Sequence, residues 1–113
     1  MSEQLAPAEH VALRDIGAKA TVIAVPAILT GLSLVNGLAA ISFVQLFDAL
    51  LANVTLGTTN PDWEFPVPAS IGTLVNLSAS GIKFHVGIVV GVTTGEKGAA
   101  AVGAGFQGFF YVQ

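Results

Sequence analysis

The chain has no cysteine. Disulfides and thiolate metal sites are therefore excluded, and the fold must hold by packing and backbone hydrogen bonding. Charge is nearly as scarce. Asp, Glu, Lys and Arg together make up 10% of the 113 residues, against about 25% in an ordinary soluble domain. Only four residues are Lys or Arg, and the formal net charge is −3. No basic stripe is available to neutralise phosphates, so nucleic acid is not expected as a partner. The two histidines, His10 and His85, lie far apart in the sequence with no cysteine beside them. No metal site and no cofactor are expected.

Long unbroken apolar runs are missing too. Asp48 is the sole ionisable residue across residues 20–56, yet that stretch is interrupted by Pro26, Thr30, Gly31, Ser33, Asn36, Gly37, Ser42 and Gln45. A membrane-spanning helix needs about 20 mostly apolar residues in one run. No Lys/Arg cluster flanks the stretch to set an orientation. A small membrane protein is accordingly the third of three readings. The first fifteen residues carry acids and no basic leading region, which does not suit a signal peptide.

What the chain does have is apolar surface and glycine: 53% of residues are hydrophobic, 13 are glycine, and the mean hydropathy is +0.77. That balance suits a soluble subunit that buries part of its surface against neighbours. The length allows one domain with a two-layer core.

The clearest periodic signal is residues 82–94, IKFHVGIVVGVTT. Ile82, Phe84, Val86, Ile88, Val90 and Val92 alternate with mostly small or polar residues, which predicts one long strand with a buried face and an open face. Upstream, residues 20–35 read as a strand, split near Pro26, with Ile28, Thr30, Leu32 and Leu34 on one face. Asn36-Gly37 predicts a hairpin turn, and residues 38–48 then return as the antiparallel partner. Both phases of that returning strand are apolar, including Val44 and Leu46, which points to a subunit interface. Residues 49–61 read as a connecting loop. Residues 62–67 are an edge strand limited by Pro66 and Pro68, and residues 73–78 form another short strand. After a turn at residues 95–98, the chain closes with a strand over residues 106–112. In that last strand Phe106, Phe110 and Val112 share one phase, and Gln107, Phe109 and Tyr111 share the other. Seven or eight short strands between Gly, Pro and Asn turns predict an all-β fold, an antiparallel β-sandwich of jelly-roll type over residues 20–113. Residues 1–19 hold close to half of the charged side chains. They read either as a solvated tail or as an extended N-terminal arm that orders on a neighbouring subunit.

Little in the residues suggests catalysis. Asp62 and Glu64 sit two apart beside Trp63, where charges ordinarily protect a sheet edge. Gly103-x-Gly105-x-x-Gly108 spells a dinucleotide fingerprint outside any strand–helix context. Neither histidine has an orienting acid or a nucleophile at a recognisable spacing. The chain is not expected to be an enzyme.

From Leu46 onward the sequence resembles small proteins encoded among the structural genes of tailed bacteriophages. The resemblance rests on Leu46-Phe47-Asp48, residues 54–61 (VTLGTTNP), residues 66–69 (PVPA), residues 81–88 (GIKFHVGI), Thr93-Thr94-Gly95 and residues 109–112 (FFYV). It departs from the pattern at Asp62-Trp63-Glu64, where such chains are more aliphatic. The resemblance implies a virion β-sandwich subunit on the capsid surface. It would be a capsid cement or decoration protein, made in the host cytoplasm, trimeric, and bound to the major capsid protein. Leu5, Val11, Leu13, Ile16, Val44, Leu46 and Trp63 are then the candidate interface residues. A tail or fibre module that binds a receptor or glycan, with Trp63, Asp62 and Glu64 as its sugar platform, is the alternative of a different class.

Overall fold

In the computed structural model, the described residues are 9–14, 16, 18–76, 81–96, 98, 102 and 105–113, with residues 9 and 73–76 described by their backbone. Among the described residues nine strands form: β1 (Glu9–Leu13), β2 (Lys19–Ile23), β3 (Ala27–Asn36), β4 (Ser42–Phe47), β5 (Trp63–Val67), β6 (Ile71–Asn76), β7 (Ile82–Phe84), β8 (Ile88–Thr93) and β9 (Phe106–Val112). They make two antiparallel sheets packed on each other. The first runs β1-β9-β3-β6, with β7 also beside β3, and the second runs β2-β8-β4-β5.

The pairings are nested: β4 with β5, β3 with β6, β2 with β8 and β1 with β9. This is one long antiparallel ribbon, folded at the β4–β5 connection and then rolled so that β3 meets β9 and β4 meets β8. Nested pairing of this kind is a jelly roll. The β-sandwich predicted from alternation and turn residues is therefore the fold observed. Its core lies between the sheets, with Leu29, Leu32 and Phe110 from one side meeting Leu46, Ile88 and Val90 from the other. Burying each such side chain is worth about 1.5–3 kcal/mol.

Several local expectations give way to this winding. Residues 82–94 do not form one strand. β7 belongs to the first sheet and β8 to the second, with a bend at residues 85–87 between them. Val86, expected inside, is 44% exposed at that bend. Asn36-Gly37 does not close a hairpin either, because β3 and β4 lie in different sheets and do not pair. The expected alternation in β3 is interrupted as well. Leu29 stands opposite Val112 but Gly31 stands opposite Tyr111, so Thr30 is an extra residue. Such a bulge reverses which phase faces inward. Ala27 and Leu29 point into the core before it, and Leu32 and Leu34 after it. The Thr30 hydroxyl donates to the Tyr111 carbonyl at 3.0 Å.

The N-terminal segment is also part of the sandwich from Glu9 onward. β1 pairs along its length with β9, Ile16 is 3% exposed in the core, and the Ile16 N–H donates to the Phe106 carbonyl at 2.8 Å. Of the arm expected over residues 1–19, residues 1–8, 15 and 17 lie outside the described residues.

The surplus apolar face of residues 38–48 is covered by the chain itself at its Phe47 end, while Ile41 stays exposed. Phe47, on the outer side of the second sheet, packs with Val54 and Val89, flanked by Ala49 and Leu56. Gly91 makes room for this cover: a Cβ there would lie 2.7 Å from Leu56 Cδ2. The Lys19 ammonium ties the covering segment down by donating to the Leu51 and Val54 carbonyls.

Each passage between sheets takes the backbone out of a hydrogen-bond ladder, and the freed groups need partners. At one end of the sandwich Asn36 supplies them. It is fully buried, and its Nδ2 lies 3.0 Å from the Ala40 and Val67 carbonyls and 3.2 Å from that of Pro68. Its Oδ1 accepts from the Leu38 N–H at 2.9 Å. One side chain thus fastens the β3–β4 passage to the β5–β6 passage. At the opposite end Asp48 plays the matching part. Its carboxylate accepts from the N–H groups of His85 (2.9 Å), Val86 (2.8 Å) and Gly87 (3.4 Å) in the β7–β8 bend. Asp62 in turn accepts from the Asp48 N–H at 2.7 Å. Burial raises the Asp48 carboxyl, but the three N–H donors and the nearby His85 outweigh it and hold it below its ordinary 3.8.

Two predictions follow from these corners. Asn36→Ala strips a buried corner of its partners and is expected to lower stability by about 2–4 kcal/mol, read as a shifted urea midpoint at unchanged slope. For Asp48, the depressed carboxyl contributes stability that is fully present above 3.8 and is lost as the pH falls through the folded-state value. The wild-type melting temperature should therefore drop on acidification below that point, whereas Asp48→Asn should start lower at neutral pH and respond less over the same interval. Parallel acid titrations of the two proteins, followed by circular dichroism, check this.

Candidate functional site

The two sheets present different outsides. The second is covered by residues 49–56. The first is open. On its outward side, rows of paired residues run across the strands. His10 stands opposite Tyr111, and Tyr111 opposite Gly31; Ala12 opposite Phe109, and Phe109 opposite Ser33. Gln107 stands opposite Val35, which stands opposite Gly72. Alternation puts these residues outward because their neighbours Phe106, Phe110 and Val112 on β9, and Leu32 and Leu34 on β3, are in the core.

This face sets aromatic and aliphatic side chains beside the polar but uncharged Ser33 and Gln107. Val35 is 40% exposed and Tyr111 37%. The His10 ring stacks on Tyr111 with centroids 5.6 Å apart and interplanar angle 20°, and it tilts against Phe109 at 5.5 Å. Cross-strand ring contacts of this kind fix the rings' orientation on the sheet. No Asp, Glu, Lys or Arg side chain projects from the centre of the face among the described residues. Lys83, opposite Ile28 on β7, stands at one end, and Arg14 follows β1 at the other. An uncharged centre with charges confined to the rim suits contact with another protein surface.

The candidate interface residues read from the sequence scatter across the fold. Val44 and Leu46 are fully buried and Ile16 nearly so, all in the intramolecular core, and so unavailable to a partner. Val11 and Leu13 are half-buried and pack against that core. Leu5 lies outside the described residues. Only Trp63 is surface, 45% exposed on edge strand β5. Two causes account for this. β4 has two apolar phases, and Val44 and Leu46 belong to the one that faces the core, while Phe47 of the other phase packs with Val54 and Val89. Val11, Leu13 and Ile16 pack inward because the N-terminal segment joins β9. The open face was visible in part as the Gln107, Phe109, Tyr111 phase. Its continuation through His10 and Val35 depends on which strands lie beside β9.

Trp63 does not sit among free carboxylates. Asp62 accepts from the Asp48 N–H, and Glu64 accepts from the Gln45 amide at 3.1 Å. Gln45 also reaches the Thr93 hydroxyl at 3.2 Å. The polar groups of the sugar platform considered from sequence are thus engaged in the chain's own corners and strands. Among the described residues no group of three or more His, Cys, Asp or Glu side chains is placed to hold a metal ion, and no pocket is found. Among the described residues no helix is long and apolar enough to cross a membrane.

No family model matches the chain, and no curated protein matches it. Among solved structures it is similar to one described as the crystal structure of PirA, with a TM-score of 0.45 and 11% identity over 98% of each chain.

Proposed function

We propose that this chain is a structural protein of a tailed-bacteriophage virion, a capsid cement or decoration protein that binds the major capsid protein and adds interface area between coat subunits. The observation that carries the reading is where the segments behind the resemblance sit. Asp48, from Leu46-Phe47-Asp48, binds the N–H groups of His85, Val86 and Gly87 within residues 81–88. Phe47 packs on Val54 at the start of residues 54–61. Val67 and Pro68, from residues 66–69, supply carbonyls to Asn36. Segments far apart in sequence thus meet at the corners of the roll, and that meeting is what supports the reading.

In this reading the open face of the first sheet seats on the coat, with His10, Val35, Phe109 and Tyr111 at its centre. The assembled form is a homo-oligomer, a trimer as the resemblance implies. No catalytic step is involved.

The test is particle composition. Purified virions should contain the chain in many copies, located on the head and released when capsids are mildly destabilised. Val35→Glu or Tyr111→Glu, placed on the open face, should abolish re-binding of the folded protein to stripped heads by tenfold or more, since each leaves a charge buried without a partner, at about 1–3 kcal/mol or above. Val25→Glu, at a site 54% exposed between β2 and β3, should bind as the wild type does. A protein found in few copies at the tail tip, or one that binds cells or glycans instead of heads, would overturn the proposal.

A further inference from the structure

Asn36-Gly37 is the sequence most prone to spontaneous deamidation, because glycine has no side chain to shield its backbone nitrogen from the preceding amide. In this fold both reacting groups are held. The Gly37 N–H, whose nitrogen would have to attack, donates to the Gly105 carbonyl at 2.9 Å. The Asn36 Nδ2, which would have to leave, faces the carbonyls of Ala40, Val67 and Pro68, and Oδ1 is bound to the Leu38 N–H. The Asn36 side chain is fully buried, so water and hydroxide do not reach it. The glycine is itself required here: a Cβ at position 37 would lie 2.8 Å from the Gly105 oxygen. The fold therefore needs the labile dipeptide and also protects it.

We infer that Asn36 is a conformationally guarded deamidation site, stable in the folded chain and lost when the corner opens, after which the native corner cannot re-form. The chemistry is closed by water alone. In the open chain the deprotonated Gly37 nitrogen attacks Asn36 Cγ, the Cγ–Nδ2 bond breaks, and ammonia leaves with the proton that Gly37 gave up. Water then opens the cyclic imide at one of its two carbonyls. Opening at one leaves aspartate at position 36, and opening at the other leaves isoaspartate, with the main chain running through the side-chain carbon. Either product puts a carboxylate where a donor amide stood. Three carbonyl oxygens that accepted from Nδ2 would then face an anion with no hydrogen to offer. Isoaspartate adds a backbone atom as well, in a segment where Gly37 and Leu38 are both fixed by hydrogen bonds. One local reaction thus makes an unfolding event irreversible and sets a limit on the useful life of an opened subunit.

The experiment incubates the intact chain in mildly alkaline buffer, with and without denaturing urea, and follows residues 36–37 by peptide mass spectrometry with isoaspartate detection. Deamidation at Asn36 should proceed at least tenfold faster in urea than in the folded protein, and Asn53 and Asn60, which precede valine and proline, should lag in both. On dilution from urea, the amide-bearing fraction should regain the native spectrum while the deamidated fraction does not. Asn36→Asp, made directly, should fail to reach wild-type stability at neutral pH and should fall below Asn36→Ala, which removes the amide without adding charge. Equal rates of deamidation in folded and unfolded chains would overturn the guarding. Refolding of deamidated chains with unchanged stability, or an Asn36→Asp variant as stable as the wild type, would overturn the proposed consequence.

Discussion

A chain that passes from one sheet to another has to leave its hydrogen-bond ladder, and the groups it frees need new partners. In a jelly roll nearly every connection makes this passage, so the fold depends on how the passages are satisfied. Here two short side chains carry much of that duty. Asn36, with donors and an acceptor on one planar group, fits an end where carbonyls and an N–H converge. Asp48, an acceptor alone, fits an end where three N–H groups converge. Neither can be exchanged for the other, because the backbone at each end presents groups of opposite character.

The scarcity of charge takes on a definite meaning in this frame. The second sheet spends part of its apolar surplus internally, on Phe47, Val54 and Val89 beneath a loop that Gly91 and Lys19 allow to lie flat. The first sheet has no such cover over its described face. His10, Phe109 and Tyr111 stand together there, with Val35 nearby and charges only at the ends. In the proposed reading of the chain as a virion subunit, this exposed face is the one that meets the coat.

Residue patterns carried the fold class and several elements almost to their ends. The strand over residues 106–112, with Phe106, Phe110 and Val112 in one phase, matches β9, where that phase faces the core, and the short edge strand limited by Pro66 and Pro68 matches β5. Where the reading failed, it failed at corners. Periodicity of two looks the same whether a strand continues or bends into the opposite sheet, so residues 82–94 read as one element although β7 and β8 belong to different sheets. Asn-Gly is a hairpin signal through its backbone preferences, and the side-chain hydrogen bonds that make Asn36 a bridge between two passages involve residues more than thirty positions away. The bulge at Thr30 likewise becomes visible only against β9.

By itself, then, the sequence determined that the chain would be all-β, would hold without disulfides, and would rely on short strands with apolar alternation; these follow from composition and local spacing. The tertiary structure alone decided the nested winding, the reversal of faces in β3, the burial of Val44 and Leu46 in the core, and the choice of the β1-β9-β3-β6 face as the open one. Each of those depends on which strands become neighbours. Neighbours in a rolled ribbon are set by long-range pairing, and local spacing does not encode it.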